Sequence, residues 1–233
     1  MKPEGLVPPG EVHLWTVEAT PELARAVQNS LSPEESARAK RLRGQGACYR
    51  FVAAHGALRH ILAAYLQMPA AAIPIEHLSA GKPRVAGPSP GLDFNVSYAA
   101  GLMVCAVSGG GRVGVDVERV HPADPQHDAA YLSALERSAI EAIPMHDRAA
   151  ALAACWTRKE ALAKAIGEGI NLDFSTFDVT VTPRDPRILS LPPHLAGTEW
   201  HLAAFEPHPG CLGAVALEGS LLVLTPRRWR PPT

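Results

Sequence analysis

Apolar and polar positions alternate with a period of two over Val113-Gly114-Val115-Asp116-Val117-Glu118, just after the run Gly109-Gly110-Gly111. That alternation predicts a strand. Residues two apart on a strand share a face, so Asp116 and Glu118 point the same way. The period changes in Trp156-Thr157-Arg158-Lys159-Glu160-Ala161-Leu162-Ala163-Lys164. Here it is helical, and Trp156, Glu160 and Lys164 fall one turn apart on one stripe. The alanines around them mark a largely buried helix, whose charges cannot all face water cheaply. Gly167 and Gly169 follow at once, ending the helix and leaving room for a close approach. If that helix packs beside that strand, three carboxylates and an ammonium converge, and crowded carboxylates repel unless a cation sits among them.

The other elements follow in order. Val12–Val17 reads as a first strand. Ser32, Pro33 and Glu35 form a helix start with a capping box. From Arg50 to Leu66 the pattern is helical, with Phe51, Leu58, Ile61, Leu62 and Tyr65 on an apolar stripe. Ile73 to Leu78 suggests a strand, and a Pro/Gly-rich loop follows over 88–91. Residues 92–107 read as a hairpin turning over Ser97–Gly101. Val120 to Asp128 reads as a loop. Tyr131–Ile143 and Asp147–Ile166 are two expected helices broken at Pro144. Strands are expected over 177–181, 199–205 and 212–217, and residues 226–233 read as a frayed, disordered basic tail. Gly101–Val107 and Gly210–Ala216 echo one another faintly, each in a half where helices and strands mix.

Composition narrows the class without naming it. The 233 residues are 47% hydrophobic with a formal net charge of −1, enough for a sizeable core and no global field toward nucleic acid or membrane. No apolar run is long enough to span a bilayer, and the first residues carry no apolar leader. Cys48, Cys105, Cys155 and Cys211 lack metal-ligand spacing and read as reduced thiols of a cytoplasmic protein. Charge is uneven locally. From Ser36 to Ile75 there is no acidic residue, but Arg38, Lys40, Arg41, Arg43, Arg50 and Arg59 are present. That run is either a solvated helix face or an anion site.

Taken together, the two stretches resemble the signature motifs of the 4′-phosphopantetheinyl transferases, roughly Val/Ile-Gly-Val/Ile-Asp-Val/Ile-Glu and Trp/Phe-Ser/Thr-x-Lys-Glu-Ala/Ser-x-x-Lys. Both are complete and in order, and the length resembles the longer single-chain type serving peptide and polyketide synthases. Gly81-Lys82-Pro83 with Phe94-Asn95-x-Ser97 resembles a third motif, although Tyr98 stands where the family has histidine. The resemblance implies an α+β fold of two similar halves with antiparallel sheets, related by a pseudo-twofold, with the active site in the cleft between them. The halves would be 1–112 and 113–225. It implies Mg2+, or Mn2+, on Asp116, Glu118 and Glu160, with Glu160 and Lys164 catalytic. Coenzyme A, as substrate, would be held by Arg38, Arg50, Arg59, Gly81, Lys82, Pro83, Ser97, Tyr98, Lys164 and, secondarily, Lys159. The partners would be carrier protein domains of fatty-acid, polyketide or nonribosomal peptide synthases. The chain is expected to be a monomer that binds neither nucleic acid nor membrane. Two other readings use the same residues: a non-catalytic coenzyme A or nucleotide binder, and a metal-dependent phosphodiesterase with water as nucleophile.

Overall fold

The apolar stripe at Leu58, Ile61 and Leu62 is the axis of the N-terminal half. The protein is described by a computed structural model over residues 7–79, 81–87, 91–99, 101–121 and 131–231. The chain runs β1 (Glu11–Glu18), α1 (Pro21–Val27), α2 (Pro33–Arg41), α3 (Gln45–Leu66), β2 (Ile75–His77), β3 (Pro83–Val85), β4 (Asp93–Ala99), β5 (Leu102–Ser108) and β6 (Val113–Arg119). It continues through α4 (Ala134–Glu141), α5 (Met145–Ile166), β7 (Asp178–Val179), β8 (Ile188–Ser190), β9 (Trp200–His208), β10 (Cys211–Glu218) and β11 (Val223–Arg228). The capping box at α2 is present: Ser32 Oγ accepts from the Glu35 N–H at 3.1 Å and the Ser32 N–H donates to Glu35 at 2.9 Å. The loops expected at 88–90 and 122–128 lie outside the described residues.

Three cores stack in layers. The first lies between α3 and one face of a sheet ordered β11-β1-β5-β4. Leu58, Ile61 and Leu62 are each at most 3% exposed there, and burial of such a side chain contributes about 1.5–3 kcal/mol. The second lies between that sheet and one ordered β6-β10-β9, where Leu14 and Val104 meet Val113, Val115, Val117 and Val215. The third packs α5 on the far face of β10, at Ala214 and Ala216. The period-two pattern of β6 thus has a structural meaning. Its valines enter the inter-sheet core, and the alternate positions Gly114, Asp116 and Glu118 face α5.

β6 is an edge strand, paired on one side only, with β10. Its outward N–H groups are met by side chains of β4. The Val113 N–H donates to Asp93 at 2.7 Å, the Val115 N–H to Asn95 at 3.0 Å and the Val117 N–H to Ser97 at 3.4 Å. Residues at period two on one strand therefore replace a missing strand on the other.

Several expectations need correction. Helix α3 starts at Gln45, not Arg50, because Gly44 rather than a side-chain cap begins it. The hairpin strand runs on through Ser97 and Tyr98 to Ala99, moving the turn to its far end. The tail is not frayed up to Trp229: β11 pairs in parallel with β1, Thr16 opposite Arg228, and Trp229 is only 5% exposed in the first core. Its arginines mask the apolar alternation that would have revealed it.

Candidate active site

Gly114 decides how close the helix comes to the strand. A Cβ there would lie 2.0 Å from the Ala161 carbonyl oxygen and 2.4 Å from the Ala165 nitrogen. Any other residue would push α5 off β6. With glycine in place, the next inward residue of β6, Asp116, lies beside the helix stripe of Glu160 and Lys164.

Lys164 Nζ donates to Asp116 Oδ1 at 2.6 Å and lies 3.8 Å from Glu160 Oε2. Ser97 Oγ donates to the same Asp116 Oδ1 at 2.8 Å. Asp116 is 2% exposed, and its second oxygen, Oδ2, is buried with no hydrogen-bond partner. An unpartnered buried carboxylate oxygen is costly, and a cation is the ligand that satisfies it best. Among the described residues no group of three or more His, Cys, Asp or Glu is gathered tightly enough to cage a metal alone. Lys164 is the counter-charge that Asp116 has in hand.

The neighbouring carboxyls are tuned upward. Burial, then repulsion by Asp116, raises Glu118 above the usual range, while a hydrogen bond from Trp156 and the Lys164 charge pull it back. Burial raises Glu160 also; Lys164 opposes this, and Asp116 and Glu118 add to it. A carboxylate shifted up is a better proton acceptor near neutral pH.

Glu160 and Lys164 open onto a cleft of about 920 Å³, the size of a site for a sizeable small molecule. Arg38 and Arg41, exposed on α2, line its other side with Phe51, His55 and Tyr98. The Arg38 guanidinium lies 5.2 Å from the Phe51 ring centre. Neither arginine pairs with a carboxylate among the described residues. Gly81 and Pro83 also line the cleft.

Other expected contacts are committed elsewhere. Lys159 is fully buried, 2.8 Å from Glu136 and donating to the Phe174 and Phe177 carbonyls, so it is no phosphate contact. Lys82 places its three donors on Asp93 at 2.7 Å, Val113 O at 3.0 Å and Ala165 O at 3.2 Å. Its ammonium ties β4, β6 and α5 together, and only its stem is left for the cleft. Arg59 borders the cleft but is only 3% exposed, its donors spent on Glu35 at 2.5 Å and on the Ala70, Ala71 and Ile73 carbonyls. Ser97 is buried against Asp116 instead of lining the cleft. Arg50 borders a smaller adjoining pocket of about 420 Å³, which shares Arg38, Phe51, His55 and Tyr98.

Sequence reasoning gave no site role to Arg41, Glu35 or His55, which line the cleft. Arg41 is three residues past Arg38 on a helix, hence on the same face, and that spacing favours it over Arg50. His55 stacks on Phe51 at 3.9 Å between ring centres and lies 3.3 Å from Glu35. Phe51 and His55 are one turn apart on α3, but only the α2–α3 packing brings them to Glu35, and nothing local in the sequence signals that contact.

Comparison with known proteins gives one consistent result. Residues 112–216 match the family model of the 4′-phosphopantetheinyl transferase superfamily. The chain is 30% identical over 215 residues to 4′-phosphopantetheinyl transferase HetI of Nostoc sp. PCC 7120, an alignment covering 90% of this chain and 88% of that protein. It is 30% identical to 4′-phosphopantetheinyl transferase psf-1 of Bacillus pumilus, over 71% of this chain and 70% of that one. With 4′-phosphopantetheinyl transferase Sfp of Bacillus subtilis strain 168 it shares 22% identity, over 79% and 81%.

Proposed function

Since the chain belongs to the 4′-phosphopantetheinyl transferase superfamily, we propose the following for its reaction and for the residues that carry it. The enzyme transfers the 4′-phosphopantetheine arm of coenzyme A to a serine hydroxyl of a carrier protein, converting it from apo to holo and releasing adenosine 3′,5′-bisphosphate. The observation that carries the residue assignment is Asp116: buried, bonded to Lys164 and Ser97 through one oxygen, and unpartnered at the other.

Asp116, Glu118 and Glu160 would hold Mg2+, with Mn2+ able to replace it. When bound, such a cation neutralises the pyrophosphate, whose negative charge otherwise resists an incoming nucleophile. Lys164, at the cleft, meets the charge that develops on the transferred phosphate. Glu160 accepts the serine proton, directly or through a water, at the oxygen that does not hold the cation. Arg38 and Arg41 attract the phosphates of coenzyme A along the opposite wall, and Tyr98 offers a phenolic donor. Ser97 and Gly114 position Asp116 without touching substrate.

We read residues 1–112 and 113–225 as two similar halves related by a pseudo-twofold, with the cleft between them as the site. The strand β11, which returns to the first sheet, is an extension of the second half. The carrier domains would be those of fatty-acid, polyketide or nonribosomal peptide synthases, and the enzyme would act as a cytoplasmic monomer. No described helix is long and apolar enough to cross a membrane.

The test is intact-mass spectrometry of a carrier protein incubated with coenzyme A, Mg2+ and this enzyme. The carrier should gain the mass of one arm. A binder would leave its mass unchanged, and a phosphodiesterase would release phosphopantetheine with no carrier present.

A further inference from the structure

Three lysines lie around β6 and α5, but only one can move. Lys82 and Lys159 are 9% and 0% exposed and held by carbonyl oxygens as well as carboxylates. The Lys164 side chain is 26% exposed, lines the cleft, and has no carbonyl acceptor. Its contacts are Asp116 Oδ1 at 2.6 Å, Ser97 Oγ at 3.4 Å and Glu160 Oε2 at 3.8 Å. A four-carbon stem with rotatable bonds can carry that ammonium from Asp116 into the cleft.

We propose that Lys164 is the resident counter-ion of Asp116 in the free enzyme, and that it gives Asp116 up to the metal by moving onto a phosphate of coenzyme A. The proposal rests on the metal assignment above. A dication on Asp116 Oδ2 would share one carboxylate with an ammonium 2.6 Å from the other oxygen. Two cations on one carboxylate repel. The phosphates of coenzyme A supply the anion that draws the ammonium away. Metal and coenzyme A therefore enter cooperatively, and each binds weakly without the other. The arrangement also keeps a buried carboxylate neutralised before substrate arrives, which a bare Asp116 would not be.

The exchange makes two predictions of opposite sign for one substitution. In Lys164→Met the competitor is gone, so Mn2+ should bind the substrate-free enzyme more tightly, on the order of tenfold. The phosphate contact is gone too, so coenzyme A should bind the metal-loaded enzyme less tightly, by a similar factor. Binding of Mn2+ would be followed by loss of the free-ion electron paramagnetic resonance signal, and binding of coenzyme A by calorimetry. Lys164→Gln, which keeps a donor but no charge, should behave alike, and circular dichroism melts check that both fold. Unchanged or weaker Mn2+ binding in both variants overturns the exchange, as does unchanged affinity for coenzyme A. Failure of the metal assignment looks different: Asp116→Asn would then bind Mn2+ as the wild type does, overturning the exchange along with its premise.

Discussion

The two walls of the cleft use the same kinds of charged residue in opposite ways. On the α2 wall, Arg38 and Arg41 stand exposed and reach into the cleft without a carboxylate partner among the described residues. On the β6–α5 wall, charges are buried and bound: Asp116 to Lys164, Lys82 to Asp93, Lys159 to Glu136. Residue type does not separate the exposed cations of the cleft from the structural ones. Burial and the count of donors already engaged do. One wall should therefore govern affinity for the anion, and the other the chemistry and the stability of the fold.

The comparison breaks first at Asp116. Asp116→Asn should lower carrier modification on the order of a thousandfold, with little change in the melting curve. Steady-state rates close to wild type would move the chemistry off this wall. The next effect is structural. Lys159→Met leaves Glu136, still bonded to the Ser133 and Val179 N–H groups, without its counter-charge, and takes a donor from two carbonyls in a dry site, which should cost about 3–5 kcal/mol in denaturant titration. Binding of coenzyme A by the folded fraction should not change; weaker binding there would return Lys159 to the phosphate site.

A third test concerns the pair that braces the α2 wall. Burial would raise Glu35, but hydrogen bonds from His55 and Arg59 outweigh it and hold the carboxyl at about 2, against 4.5 unperturbed. A depressed carboxyl stabilises the fold at pH above 4.5 and loses that contribution as pH falls toward 2. The loss should amount to about 3 kcal/mol, read as a falling melting temperature. In Glu35→Gln the wild-type advantage should be absent at every pH in that window. A slope as steep as wild type would place the linkage on other carboxyls. The smallest effect is expected at the rim. Arg41→Ala should raise the KM for coenzyme A roughly fivefold, about 1 kcal/mol, and leave kcat alone, and added salt should narrow the difference.

Much of the β6–α5 wall was legible in the sequence, because its geometry is local. Period two places Asp116 and Glu118 on one face, and a helical turn aligns Glu160 with Lys164. The near approach of the two elements follows from Gly114, whose role shows only when Ala161 is set against it. The α2 wall was less legible. A run of arginines announces positive charge but not which members are engaged, and Arg59 is taken by Glu35 and by carbonyls more than ten residues on. Lys82 and Lys159 misled for the same reason: each is held by a distant carboxylate and by two backbone oxygens, which no local side-chain pattern encodes. The strand β11 was missed because its partner β1 lies at the other end of the chain.

The side chains of Asp93, Asn95 and Ser97 have a consequence beyond holding Asp116 in place. An uncovered strand edge is a template on which another chain can grow, and proteins blunt such edges with charge, proline or cover. Here the cover comes from the other half of the same molecule, and its three contacts match alternate N–H groups of β6. A one-residue slip would break all three at once. Were the chain cut near Arg112 and the C-terminal portion made alone, β6 would offer those N–H groups to any passing strand. The residues that keep Asp116 in register are thus also the ones that keep one copy of the protein from zipping onto the next.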